Sequence, residues 1–245
     1  KLSFKTAASE AAAEKMSLSS AGNLTVSGDI SADNWKQEGT NFTGSLLVGH
    51  ATTGTLSSAS NNTAVGINTL NAITSGVHNT AMGFEASGNL TGGGSNTNIG
   101  RYAGNSNQTA SHNTSMGYDA LRRATGGNNT SIGSFSGDNI GSGVNNITVG
   151  KQAGDNITSG DGNVIIGSIN ADSATGDKQF ILADGVDGSV AWLKGDSSGN
   201  LTMPAEIAAA TLDISGAIDI DGTANLDTVD IDGAVQIDAA FTSGV

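Results

Sequence analysis

The chain has 245 residues, a formal net charge of −13, no cysteine and a single proline. The lack of cysteine excludes disulfides and thiolate metal sites, and the negative charge disfavours nucleic acid and anionic lipid as partners. Only 13% of residues are charged and 36 are glycine, which is unusual for a globular enzyme. No apolar run reaches the length of a membrane span and no signal peptide is visible, so we expect no membrane insertion.

Residues 1–44 are predicted to form an N-terminal β module. Apolar and polar residues alternate in 2–4 and 16–18, and residues 23–26 follow a turn signal. These patterns predict short strands around turns. The Ala-rich stretch 10–15 is compatible with one helical turn or with a hairpin loop.

Residues 45–170 contain eight copies of a five-residue phrase, such as Asn62-Thr63-Ala64-Val65-Gly66. The closing glycines are 17 residues apart, except for one interval of 16. A period this strict predicts stacked copies of one unit, and therefore an all-β fold with a parallel β-roll or β-solenoid of about eight coils. The predicted corner glycines are Gly49, Gly66, Gly83, Gly100, Gly117, Gly133, Gly150 and Gly167.

Each coil is predicted to contain two short strands and two turns, with glycine at a corner because the turn needs φ values that a Cβ disfavours. Residues one and three before each glycine, such as Val65 and Thr63, are mostly apolar or β-branched and are predicted to face inward. The residue between them, such as Ala64, is mostly small and is predicted to face outward, where it would either let three rolls approach an axis or simply face water. The Asn that opens most phrases predicts an amide ladder between coils. Its members are Asn62, Asn79, Asn96, Asn113, Asn129, Asn146 and Asn163.

Two further segments follow the repeats. Residues 171–204 are predicted to form a β-meander, with strands at 180–182, 190–193 and 201–203. In residues 205–245 apolar residues alternate with Asp before each Gly, which predicts an acidic, narrow β-helix. A segment this short buries too little surface alone, so we expect several chains to wind together there.

The repeat phrase, as in Ala64-Val65-Gly66 and Ser131-Ile132-Gly133, resembles the repeats of bacteriophage tail fibres. It is also similar to the left-handed β-roll heads of trimeric autotransporter adhesins, although their repeats are shorter and no coiled-coil stalk or membrane anchor is visible here. The resemblance implies a homotrimer that acts as a structural fibre segment of an extracellular virion. It also implies a host-surface receptor, such as a polysaccharide or an outer-membrane protein. The alternative is a bacterial cell-surface adhesin, or an extracellular filament subunit that assembles end to end.

The chemistry-bearing residues predict no enzyme, no cofactor and no metal site. Carboxylates in the array form no recurring pair, and Glu85 with Asp119 is the best placed. His78 and His112 lie two coils apart, too far to share a metal ion. The Thr column that includes Thr63 is predicted to face inward, which argues against ice binding.

Aromatic residues follow successive corner glycines on adjacent coils, with arginines nearby. Aromatic faces and Arg are typical of recognition surfaces, but a ladder that stabilises the rod, or partial burial at a trimer seam, remains open. The 16-residue interval contains the only adjacent basic pair, which marks it as the first candidate for a contact. The candidate contact residues are Phe84, Arg101, Tyr102, Tyr118, Arg122, Arg123 and Phe135.

Overall fold

The structure is a computed structural model that describes residues 2–6, 13–18, 20, 24–26, 35–37, 41, 43–49 and 53–203. Strands β1 (Leu2–Thr6), β2 (Ala13–Leu18) and β3 (Leu24–Val26) form an antiparallel sheet in that order. Residues 13–15 belong to β2, so this part of the Ala-rich stretch is a strand and not a helical turn. The predicted acidic β-helix at 205–245 lies outside the described residues.

The second sheet is the stack of repeats, and it has twelve strands in chain order. Strands β5 to β13 pair in parallel, whereas β4 pairs antiparallel at one end and β14 and β15 pair antiparallel at the other. The predicted all-β solenoid, with about eight coils of about 17 residues, is confirmed. The strands are β4 (Trp35–Gln37), β5 (Leu46–Val48), β6 (Thr63–Val65), β7 (Thr80–Met82), β8 (Thr97–Ile99), β9 (Thr114–Met116), β10 (Thr130–Ile132), β11 (Ile147–Val149), β12 (Val164–Ile166), β13 (Phe180–Ala183), β14 (Ala191–Gly195) and β15 (Leu201–Thr202).

The corner glycines stack directly on one another. Gly83 has a φ of 128°, a region that residues with a Cβ rarely adopt. A Cβ added to Gly83 would also lie 2.6 Å from the carbonyl oxygen of Gly100, the corner of the next coil. Glycine is therefore required at this column both by the turn itself and by the close approach of adjacent coils.

The prediction of a second strand in each coil is wrong for the described coils. Left-handed residues such as Glu85 (φ 55°) and Ser87 (φ 52°) follow the corner and break the extended conformation that a strand needs. The rest of each coil consists of turns, apart from an isolated bridge between Ser60 and Val77. Hydrogen bonds still link these turns between coils, for example from Ser87 N to Ala103 O at 2.9 Å.

The predicted inside and outside of the repeat strands are reversed. The central strand residue faces inward, so Ala64 and Ser131 are fully buried. Its neighbours Thr63 and Val65 face outward. Large apolar side chains from the turns, such as Leu90 and Ile140, fill much of the interior, so the central strand position is mostly small. The inward column comprises Leu47, Ala64, Ala81, Asn98, Ser115, Ser131, Thr148 and Ile165.

The interior contains two apolar clusters. One extends from Leu47 to Leu90 and the other from Leu121 to Ala183. Polar side chains lie in the interior as well, and they satisfy one another: Ser115 Oγ donates to Asn98 Oδ1 at 2.6 Å. Buried polar groups hydrogen-bonded in this way avoid the desolvation cost of an unpaired group.

Candidate functional site

The outward residues of the parallel strands form a continuous surface, which we call the outer face. Its two columns are the first and third residues of β5 to β12. The first column is mainly Thr, and the third contains only Val, Met and Ile. Several of these apolar side chains are well exposed, at 48% for Met82, 41% for Met116 and 40% for Ile132. Aligned apolar exposure of this kind is typical of a protein contact surface.

The sequence argued against ice binding because the Thr column was predicted to face inward, and the outward orientation of this column removes that argument. Thr63 and Thr80 are exposed on the outer face, not directed inward. The adjacent column mixes Val, Met and Ile. These side chains differ in length and make the face uneven, which suits a protein partner better than a flat ice lattice.

The Asn residues that open the phrases are buried and connect successive coils. Asn79 donates its backbone N–H to Asn62 Oδ1 at 3.0 Å and its Nδ2 to the same oxygen at 3.1 Å. Its Nδ2 also donates to Gly93 O at 2.9 Å. At the last coil Gln179 takes over this role, donating its backbone N–H to Asn163 Oδ1 at 2.8 Å. These side chains satisfy backbone groups inside the roll, so their role is structural.

The aromatic edge lies directly after the corner glycines and comprises Phe84, Arg101, Tyr102, Tyr118 and Phe135. Phe84 and Tyr102 form an edge-to-face pair with centroids 5.6 Å apart, and Tyr118 and Phe135 form another at 5.1 Å. Arg101 lies between the two pairs, with its Cζ 4.2 Å from the Tyr102 centroid and 5.3 Å from that of Tyr118. Its Nη1 donates to the Tyr118 hydroxyl at 2.8 Å. Five of the seven predicted contact residues are therefore in one cluster.

The other two predicted contact residues are occupied by ion pairs. Arg122 Nε and Nη2 donate to the two carboxylate oxygens of Asp138 at 3.1 and 3.3 Å. Arg123 Nη1 donates to Asp138 Oδ2 at 2.7 Å. Arg122 also lies 3.3 Å from Asp119. The basic pair in the short coil thus has its charge compensated within the chain, and it is a poorer candidate for a ligand contact than the sequence suggested.

Asp119 is the most unusual carboxylate of this region. It is buried, and its Oδ1 is the only buried side-chain oxygen or nitrogen without a hydrogen-bond partner in the part of the chain that the structure describes. Burial raises the pKa of Asp119, and the Arg122 guanidinium partly opposes this shift. Glu85, the other member of the best-placed carboxylate pair, is partly exposed. The two carboxylates therefore lie in different environments.

A polar cleft of about 390 Å³ lies further along the same edge and was not recognised from the sequence. Lys151 and Gln152 are the first two residues after the corner Gly150, which is the position that the aromatic residues occupy in earlier coils. The loop after β13 closes the cleft, and Asp184 orders this loop by accepting backbone N–H groups such as that of Val190 at 2.8 Å. The residues that line the cleft are Lys151, Gln152, Asp155, Ser168, Ile169, Asn170, Val186 and Asp187.

Comparisons with known proteins give no assignment: no family model, curated protein or solved structure matches the chain significantly. Within the described residues, no cluster of three or more His, Asp or Glu side chains is arranged to hold a metal ion. The same residues include no helix with the length and apolar character required to cross a membrane.

Proposed function

We propose that this chain is a structural segment of a virion fibre, and that three copies associate through their outer faces. The fibre extends from the virion and presents a surface for attachment to a host. The observation that carries the proposal is the exposed apolar column of the outer face, which includes Met82 at 48% and Met116 at 41%. Support also comes from the resemblance of the repeat phrase to phage tail fibres.

The outer face suits self-association for three reasons. Its strands are in register, so equivalent side chains recur at the strand spacing of ~4.8 Å along the axis. Neither column of the outer face contains a charged residue. Burial of its apolar surface contributes a free energy of about 25 cal/mol per Å². Symmetric assembly then buries the same patch on every copy. This seam replaces the one that the sequence suggested, the column of small residues such as Ala64 and Ser131, because those side chains are buried inside the roll.

The experiment is a mass measurement in solution by light scattering. The wild-type chain is expected at three times its mass of 24.2 kDa. The double variant Met82→Lys/Met116→Lys is expected at the mass of one chain, because it places two charges in the seam. The matched control Ile67→Lys/Val186→Lys changes two residues that are 59% and 85% exposed and lie in a turn and a loop outside the outer face, and it should remain trimeric.

Either a monomeric wild type or a double variant that stays trimeric refutes this arrangement. A mass that grows with concentration favours the second candidate, an end-to-end filament or surface adhesin. That candidate is supported by the two terminal strands of the large sheet, β4 and β15, which each pair on one side in the described structure. Thermal hysteresis in a freezing assay would instead assign the outer face to ice.

A further inference from the structure

We propose that the aromatic edge and the polar cleft form one elongated site for a linear polysaccharide that carries carboxylate groups, and that Arg101 binds one of these carboxylates. This inference rests on the proposed function, because it names the chemical class of the host-surface ligand. It concerns the corner edge and not the outer face, so the two proposals can fail separately.

Arg101 is a positioned cation that forms no ion pair within the described residues, although the buried Asp119 carboxylate is close enough to interact with its charge. No carboxylate of the described residues lies within 4.0 Å of its guanidinium, whereas Arg122 and Arg123 are both paired. Stacking near Tyr102 and the hydrogen bond to Tyr118 hold the guanidinium in place. Because guanidinium has five N–H donors and only one bond to a protein acceptor is found here, donors remain for a ligand. A planar fork held in this way is suited to bidentate binding of a carboxylate.

The aromatic rings beside Arg101 offer surfaces for sugar rings. Phe84 and Tyr118 are 38% and 40% exposed, although each is packed edge to face against a second ring. The C–H face of a pyranose packs well on such a ring, and the edge-to-face pairs already restrict ring motion. Little conformational entropy is therefore lost when a ligand binds, which favours affinity.

The site is long because equivalent positions repeat along the stack. Arg101, Tyr118, Ser134 and Lys151 each follow the corner glycine of four successive coils. The strands before these corners are paired in register, so Lys151 lies ~14 Å from Arg101 along the axis at ~4.8 Å per coil. The cleft combines Lys151 with the amides of Gln152 and Asn170, which can hydrogen-bond to sugar hydroxyls. Asp155 and Asp187 also line the cleft and disfavour a carboxylate there, so the cleft binds hydroxyls and Arg101 binds the carboxylate. A row of this kind fits a linear polymer better than a compact ligand.

The charge of the chain helps to select the ligand class. A net charge of −13 repels polyanions over long range. Nucleic acid binding needs many phosphate contacts from basic residues, and on this edge only Arg101 and Lys151 are cations without an ion-pair partner in the described residues. An acidic glycan is repelled by the same net charge, but it needs fewer cationic contacts, because the contact of one carboxylate with Arg101 and the stacking of its sugar rings offset the repulsion.

The test is calorimetric titration of the full chain with a hexameric oligogalacturonate. The matched ligand is the same oligosaccharide with its carboxylates reduced to primary alcohols. We expect the oligogalacturonate to bind and the reduced form to bind at least tenfold more weakly. Arg101→Gln should weaken oligogalacturonate binding by about tenfold or more, because a charged hydrogen-bond pair is lost.

Lys178→Gln is the matched control variant. It removes the same charge from an exposed lysine in a different column of the coil, and it should change affinity less than twofold. Tyr118→Phe keeps the ring but removes the hydroxyl that accepts the Arg101 hydrogen bond, so binding should weaken severalfold. This second variant keeps the test decisive if Arg101→Gln fails to fold.

Four results would overturn the proposal: no binding of oligogalacturonate, equal binding of its reduced form, unchanged binding in both edge variants, or tighter binding of an oligothymidylate. Light scattering of the same samples separates this proposal from the fibre arrangement. A monomeric chain that binds in an Arg101-dependent manner refutes the trimer and retains the ligand. A trimer that binds none of these probes supports the fibre arrangement and refutes the ligand proposal.

Discussion

Removal of one member of the Asn ladder should destabilise the roll strongly, and Asn129→Ala tests this. Asn129 is fully buried in the middle of the array. Its Oδ1 accepts the backbone N–H of Asn146 at 2.9 Å, and its Nδ2 donates to Gly143 O at 2.9 Å. Truncation to Ala leaves both of these buried backbone groups without a partner among the described hydrogen bonds.

The expected loss of stability follows from the two backbone groups left without a hydrogen bond, Asn146 N–H and Gly143 O. Each unsatisfied buried group costs about 1 to 3 kcal/mol, so the free energy of unfolding should fall by about 2 to 6 kcal/mol. Gly126 O, which also accepts from Asn129, retains its bond from Asn113 Nδ2 at 3.1 Å and adds nothing to this loss. A water molecule that enters the vacated space would move the value toward the lower limit.

The assay is urea unfolding at equilibrium, followed by circular dichroism. The matched control is Asn71→Ala, because Asn71 is partly exposed and makes no side-chain hydrogen bond. The control should change the free energy of unfolding by no more than about 0.5 kcal/mol. A loss below about 1 kcal/mol in Asn129→Ala would show that the ladder does not stabilise the stack in the way described. Hydrogen exchange should locate the weakened amides in the two neighbouring coils, since repeats interact only with their neighbours.

Two further outcomes follow from the same structure. Gly100→Ala should cost about 3 kcal/mol or more in unfolding free energy, because φ is 133° and the new Cβ would collide with the Gly117 carbonyl; Gly185→Ala, with open space around it, should be close to neutral. Backbone hydrogen bonds lower the pKa of Asp184 to about 2, so its stabilisation of the 184–190 loop is present above the ordinary value of 3.8 and is lost as pH falls toward 2. The protection of the Val186 and Val190 amides, measured relative to their intrinsic exchange rate at each pH, should report this loss in the wild type and should be low at every pH in Asp184→Ala.

The corner residues show how much of the candidate site was readable in advance. Phe84 and Tyr118 come near the Arg101 side chain because the period places them at equivalent positions of neighbouring coils. The pairing of Arg122 with Asp138 follows from the same period, since each lies five residues after its corner glycine in successive coils, although it was not recognised from the sequence. The cleft at Lys151 needed the loop after β13, whose path no repeat specifies.

The sequence by itself determined the stack. Its period of about 17 residues specifies the number of coils, the corner glycines and the alignment of equivalent residues, because each coil must repeat the backbone path of the one before. Only the tertiary structure decided which side of each strand is inside. Alternation shows that Thr63 and Val65 share a face opposite Ala64, but either face can be the interior. The choice depends on what the turns contribute: their Leu and Ile side chains, such as Leu90 and Ile140, fill the interior, so Ala, Ser and Asn suffice on the inward side of the strands while the Val, Met and Ile column is exposed.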